Sequence, residues 1–277
     1  MKKIVSIYIP TYNRYQLLDR AIKSVINQTY KYIEIVVCSD NSTDKTDELM
    51  KCYTEKYSFI KYVKNDINSG ACATRNRAIS HCTGYYITGL DDDDYFSEER
   101  ISNFINLSND DNTVYFSNLI IKNKSGNKKY KQKEIVDYDE IIKRNSIGNQ
   151  IFCKREVMKD FDVNLSMWQD KECWIRVIKA NGTAINTNVF DYVLDLSHEH
   201  ERISNVTHHK IYETMIYLIG KYKEFRGLSN YFYISASGYD NFIVNERKLL
   251  YAFFSVDIEA KKTVLRILIR KIFKRIF

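Results

Sequence analysis

Hydrophobic positions in the first ninety residues follow two alternating rhythms. "IVSIYIP" (4–10) is a short β-prone run closed by the chain's single proline. "NRYQLLDRAIKSVINQT" then places Leu17, Leu18, Ala21, Ile22, Val25 and Ile26 at helical period. "IEIVVCSD" (33–40) is a second unbroken apolar run, ending in an acid. The segment after it offers Ser42 and Thr43 as caps and acids in the first turn. "FIKYVKN" reads as a third strand, "GACATRNRAISHC" as a helix after Asn68-Ser69-Gly70, and "GYYITGL" as a fourth strand. Alternation of this kind predicts right-handed βαβ units, hence a mostly parallel sheet flanked by helices. Ligands of such sheets lie beyond the carboxyl ends of the strands. Residues 10–13, Asp40 and Asp91 to Asp94 should therefore gather on one edge.

Farther on, "ERISNFINLSN" reads as a helix, "TVYFSNLIIKN" as a strand, "KSGNKK" as a hairpin turn and "YDEIIKRN" as a short helix. "QDKECWIRVIKAN" is a helix with Trp174, Val177 and Ile178 on one face. Beyond about Arg202 the pattern turns helical, in "HHKIYETMIYLIGKYKEF", "NERKLLYAFFSVDIEAKK" and a basic tail. The chain has no internal repeats and no low-complexity segment.

Composition narrows this picture. The 277 residues, 44% hydrophobic, suffice for one large domain with an appendage. The six cysteines include no CxxC pair, so a zinc cluster is not expected. Free cysteines without a signal-peptide pattern fit a reducing cytoplasm, and no run reaches the length of a membrane span. The net charge of +7 is local. Seven of the 42 Lys and Arg lie in residues 261–277, and the other 35 match the 35 Asp and Glu. A neutral body argues against a nucleic-acid-binding surface. On a helical wheel, Val264, Leu265, Leu268, Ile269, Ile272 and Ile276 share one half of the tail, with Arg266, Arg270 and Lys274 opposite. That is a basic amphipathic helix suited to an anionic membrane surface.

The candidate chemistry centres on "GLDDDDYF". Four adjacent carboxylates after a buried strand either cap the following helix or await a hard cation, Mg²⁺ or Mn²⁺, with a phosphorylated ligand. Asp40 either caps a helix or accepts from a base or ribose. Gly70 permits close backbone approach to a ligand, and Arg75 or Arg77 offers a countercharge. Asp170 and Glu172 point in different directions on their helix, so at most one serves as a general base. His198 and His200 are possible metal ligands, and Arg202 suits a diphosphate.

Taken in order, "VSIYIPTYNR", "IEIVVCSDNSTD", "NSGACATRNRAI", "GYYITGLDDDDYF" and "WQDKECWIR" resemble the family 2 glycosyltransferases of bacterial surface-polysaccharide type, over roughly residues 3–205. The resemblance implies the GT-A nucleotide-diphospho-sugar transferase fold for residues 1–205, a helical extension over 206–260 and the tail helix over 261–277. It implies that Pro10, Thr11, Tyr12 and Arg14 lie along the nucleotide and that Asp40 takes the base, usually uracil. Asn68, Gly70, Arg75, Asp92 and Arg202 would complete the donor site. Asp91 and Asp93 match the DxD motif, Asp91 toward ribose or a basic residue and Asp93 on the metal. His198 is the implied second metal ligand, with His200 as runner-up. Asp170 matches the catalytic base of the "ED" pair, in which Gln169 here replaces glutamate.

The activity so implied is inverting, metal-dependent transfer of a hexosyl or N-acetylhexosaminyl group from a nucleotide sugar to a lipid-linked saccharide in O-antigen or capsule assembly. It would be carried out by a cytoplasmic protein bound peripherally to the inner membrane face. Competing readings fare worse. A nucleotidyltransferase usually carries a glycine-rich loop where this chain has "PTYNRYQ", and a Rossmann oxidoreductase needs a G-x-G-x-x-G that is absent. A non-catalytic sugar-binding or scaffold protein on the same fold would not need the intact aspartates and Asp170.

Overall fold

A computed structural model describes residues 2–108, 113–199, 207–222, 227–237 and 244–276. The chain forms two compact units, one of Met1–Ile141, Asn145–Asn164 and Gln169–Glu199, the other of Ile142–Arg144, Leu165–Trp168 and His200–Phe277.

The first unit opens with the expected alternation: β1 (Val5–Thr11), α1 (Tyr15–Ile26), β2 (Ile33–Ser39), α2 (Thr46–Lys56), β3 (Ile60–Lys64), α3 (Ala71–Ser80) and β4 (Tyr86–Gly89). These strands are parallel, in the order β3-β2-β1-β4. Every residue of β1 and β2 is buried, which is why their sequences are unbroken apolar runs rather than alternating ones. Helix α1 buries Leu18, Ala21, Ile22 and Val25, each contributing about 1.5–3 kcal/mol if fully transferred from water, less for the alanine.

The strand order reverses at β1. The chain lays β2 and β3 on one side of it, then returns to place β4 on the other. Pro10 marks the opening. The carbonyl of Tyr8 accepts from Leu90 on the β4 side, and that of Thr11 accepts from Asp40 on the β2 side. By the alternation of a strand, the missing N–H of Pro10 points to the β4 side, where the ladder with β4 has already ended at Tyr8–Gly89. Proline thus costs no sheet bond there. The two strands part at a topological switch point, the usual place for a ligand.

The unit continues with β5 (Tyr95–Phe96), α4 (Arg100–Leu107), β6 (Val114–Asn123), β7 (Gly126–Tyr130), β8 (Ile135–Val136), α5 (Tyr138–Lys143, whose last two residues belong to the second unit), β9 (Phe152–Lys154), α6 (Gln169–Asn181) and β10 (Ala184–Asp195). The sheet extends from β4 through β9, β6 and β10 to β5. Only β6 and β10 pair in parallel; β5, β7, β8 and β9 are antiparallel additions. Strands β9 and β10 do not follow from the sequence pattern. The first has three residues, and the second is broken by register shifts between Asn186, Phe190 and Tyr192, with Asn188 at φ 61°.

The second unit contains α7 (His208–Lys221), α8 (Leu228–Ser237), α9 (Glu246–Ser255) and α10 (Ile258–Ile276). The run 245–262, expected as one helix, is two. Val256 is extended, and the Asp257 carboxylate accepts from the Ala260 amide at 2.9 Å, starting a new helix. The tail's apolar half also divides differently from the wheel. Val264 and Ile267 are buried, whereas Leu265 and Ile269 are exposed. No described helix is long and apolar enough to cross a membrane.

Candidate active site

The four aspartates leave β4 with side chains alternating in direction. The side chain of Asp92 is 7% exposed and Asp94 is fully buried, while the side chains of Asp91 and Asp93 keep 18% and 13%. The four side chains thus alternate in exposure, with Asp91 and Asp93 half-buried and Asp92 and Asp94 buried.

The inward pair holds the fold. Asp92 accepts from Thr11 Oγ1 at 2.7 Å and from Arg14 Nη1 at 3.2 Å, tying β4 to the end of β1 across the switch point. Burial pushes its carboxyl up to about 7, against the pull of Arg14 and with the Asp93 charge adding to the rise. Asp94 accepts from Tyr192 Oη at 2.7 Å and from the Asp195 amide at 2.9 Å, and burial raises its carboxyl well above the usual range.

The outward pair meets cations. Arg75 of α3 donates to Asp91 at 2.9 Å and, with its other terminal nitrogen, to Gln169 Oε1 at 3.0 Å. At the head of α6 the amide oxygen of Gln169 makes that contact where the resemblance places a glutamate. Arg77 turns instead to Asn65. Arg14 Nη1 lies 3.3 Å from Asp93 Oδ2, and His198 Nε2 lies 3.4 Å from the same oxygen. His198 arrives there because β10 ends in Asp195. That carboxylate pairs with Arg20 and Lys122 and accepts from the Ser197 amide at 2.9 Å, turning the chain back. Although burial opposes it, these donors keep the Asp195 carboxyl well below the usual range. Arg20 also donates to the Asp93 carbonyl.

Asp40 is buried and shapes the neighbouring loop. Its carboxylate accepts from Asn65 Nδ2 at 2.8 Å, the Ser69 amide at 2.7 Å and the Gly70 amide at 2.9 Å. Gly70, at φ 84°, takes the left-handed turn into α3. Pro10 lies within β1, and Tyr12 and Asn68 are exposed beside these groups.

Asp170 stands in the first turn of α6, half-buried, while Glu172 is buried and paired with Arg176 at 2.7 Å. Loss of solvation raises the Asp170 carboxyl; the Lys171 amide, Arg75 and Asn145 pull it down, and Asp91 adds to the rise. His200 and Arg202 lie outside the described residues.

The sequence reading missed segment 145–150. Asn145 contacts Asp170, while Asn149 and Gln150 contact Asp91. Only its polar, turn-like composition marked it. A carboxylate oxygen and an imidazole nitrogen are donor types that a divalent cation takes, and Asp93 and His198 bring one of each together. Two ligands about 2.1 Å from one ion stand roughly 3.0–3.4 Å apart at right to tetrahedral angles, and Asp93 Oδ2 and His198 Nε2 are 3.4 Å apart. Among the described residues no group of three or more His, Cys, Asp or Glu is arranged to hold a metal alone, so phosphate or water oxygens would complete the shell.

A sheet whose strand order reverses at β1, with carboxylates of alternating exposure at its edge, defines the class: the architecture is that of the GT-A glycosyltransferases. Among solved structures, S. aureus TarS 1–349 in complex with UDP-GlcNAc superposes with a TM-score of 0.65 at 21% identity, covering 97% of this chain and 80% of that one. The mannosyltransferase PcManGT from Pyrobaculum calidifontis, in complex with GDP-Man and Mn²⁺, does so with a TM-score of 0.62 at 14% identity, covering 96% and 79%. Residues 6–165 match the family model described as Glycosyl transferase family 2, and the chain belongs to that family. WfgD of Escherichia coli, a UDP-Glc:alpha-D-GlcNAc-diphosphoundecaprenol beta-1,3-glucosyltransferase, is 30% identical over 66% of this chain and 73% of its own length. WcaA of Escherichia coli K12, named for colanic acid biosynthesis, is 34% identical over 73% of this chain and 76% of its own.

Proposed function

We propose that the protein is an inverting, metal-dependent glycosyltransferase. It moves a hexosyl or N-acetylhexosaminyl group from a UDP-sugar to a hydroxyl of a lipid-linked glycan in surface-polysaccharide assembly. The observation that carries this reading is the alternation at the switch point, with Asp91 and Asp93 facing out and Arg75 linking Asp91 to the head of the helix that bears Asp170. The name of WfgD supports the donor, the acceptor class and the stereochemistry, since UDP-glucose carries an α-linked sugar and its product is β-linked.

In this reading Asp170 takes the proton of the acceptor hydroxyl. The oxygen bonds to the anomeric carbon while the bond from that carbon to the diphosphate breaks, and the electron pair leaves with the diphosphate. One displacement inverts the centre, so no enzyme nucleophile is needed, unlike in the retaining hydrolases. Mn²⁺ or Mg²⁺, held by Asp93 and His198, would supply positive charge against the departing diphosphate. Arg14 and Arg75 are cations from the chain itself at the same edge. Asp40 has three of about four lone-pair positions filled, which leaves one for a nucleobase N–H.

The test is UDP release from UDP-Glc, UDP-Gal, UDP-GlcNAc and UDP-GalNAc, with a lipid-diphosphate N-acetylglucosamine acceptor, in Mn²⁺, Mg²⁺ or EDTA. One donor should turn over only with metal. Asp170→Asn should keep UDP binding and lose roughly 10²–10⁴ in rate. No turnover of any donor would favour the scaffold reading, and a near-normal rate in Asp170→Asn would move the base elsewhere.

A further inference from the structure

Segment 145–150 joins the two ends of the site. Asn145 Nδ2 donates to Asp170 Oδ2 at 2.7 Å. Asn149 Nδ2 lies 3.5 Å from Asp91 Oδ2 and 3.4 Å from Asp94 Oδ2, and Gln150 Nε2 lies 3.3 Å from Asp91 Oδ1. The segment is anchored from behind. Trp174 Nε1 donates to the Gly148 carbonyl at 3.0 Å, and Tyr8 Oη donates to Gln150 Oε1 at 2.8 Å.

The oxygen of the Asn145 amide serves the loop alone, while its Nδ2 makes its short bond to Asp170 and a longer contact, 3.4 Å, to the Gly148 carbonyl. Its oxygen accepts from the Ile147 and Gly148 amides at 3.3 and 3.2 Å, folding the loop on itself. That commitment fixes the amide's orientation, so the NH₂ faces Asp170. We propose that Asn145 is the positioning residue for the base, locking one oxygen of Asp170 so that the other is presented to the acceptor hydroxyl. This rests on Asp170 being the base. A carboxylate in the first turn of a helix has freedom about its side-chain bonds, which the Lys171 amide and Asn145 together restrict, and a base must sit within hydrogen-bond reach of the proton it takes.

The donor's neutrality matters. The charged groups facing Asp170 are Arg75 on α3 and Asp91 beyond β4, and on its own helix the Lys171 amide also lowers its carboxyl. Glu172 is turned to Arg176. A second cation in place of Asn145 would hold the anion so strongly that it would accept a proton poorly. An amide orients it and stabilises the charge modestly.

Asn145→Asp is the sharpest variant, because it keeps the oxygen that folds the loop and puts a like charge in place of the donor, at the expense of that donor's 3.4 Å contact to the Gly148 carbonyl. With the fastest donor of the panel above, the acidic limb of kcat against pH should move up by about one unit or more. Rate should return at high pH, and KM for the nucleotide sugar should hold. Asn145→Ser, which keeps a shorter hydroxyl, should shift the limb less and in the same direction, and it decides the matter if the aspartate variant does not fold. A readout without turnover is the melting temperature. Asn145→Asp should lose more stability at pH 8 than at pH 5, and Asp170→Asn should abolish that pH dependence. An unmoved limb together with a pH-independent stability cost would overturn the role of Asn145. An active Asp170→Asn would instead overturn the assignment of the base.

Discussion

Asp92 shows how one carboxylate can serve the fold and leave a signature in solution. It is buried, it holds Thr11 and Arg14, and its carboxyl is pushed up to about 7. In the unfolded chain an aspartate ionises near 4. Between those values the folded protein keeps a proton that the unfolded chain has released. The contribution of Asp92 therefore falls as pH rises from about 4 to about 7, and is flat beyond. Asp92→Asn removes this dependence. In metal-free buffer its stability relative to wild type should rise across that window, by an amount on the order of 3–4 kcal/mol at most. Urea denaturation at pH 4.5, 6 and 8 measures it, and a constant difference would mean that Asp92 titrates as an ordinary surface acid. At this scale the sequence was half legible. A run of four acids announced the site, but four identical letters hide which carboxylates face out. Asn145 was not legible at all, because its partner lies 25 positions away on another element.

Among the elements, legibility followed burial. β1, β2 and α1 were readable because both faces of a central parallel strand, or one stripe of a helix, are apolar. β9 and β10 were not, because a three-residue strand has no period and a bulged one loses it. The short β4 shows what such elements carry. A Cβ at Gly89 would overlap the amide of Gln150 and the ring of Tyr8, the pair that anchors segment 145–150. Gly89→Ala should therefore cost about 1–3 kcal/mol, the usual range for forcing an extra methyl into a packed site. It should also reduce turnover more than donor binding, because Gln150 would be displaced while Thr11 and Arg14 are not touched. Chemical denaturation and the separate kcat and KM values test this. Unchanged stability would mean that the strand end has room to spread.

For the whole molecule, the uneven placement of charge has consequences of its own. The excess of +7 lies in residues 261–277, while the remaining acids and bases balance. Helix α10 presents Ile258, Lys262, Leu265, Arg266 and Ile269 to solvent, and α9 exposes Leu250, Tyr251 and Phe254. Apolar and basic groups exposed together suit an anionic bilayer surface, where a lipid-linked acceptor would reside. Removing the tail would be a poor test, because Val264 and Ile267 belong to the buried side of α10 and deletion would open that packing. Replacing exposed cations leaves it intact. At about 1 kcal/mol per basic residue near the surface, Lys262→Gln with Arg266→Gln should weaken binding to phosphatidylglycerol vesicles by roughly 30-fold at most. Binding to neutral phosphatidylcholine vesicles should stay weak in both proteins, and salt should erase the difference between them. Co-sedimentation with each vesicle type decides it: equal binding of wild type and the double variant to anionic vesicles would remove these residues from any membrane contact.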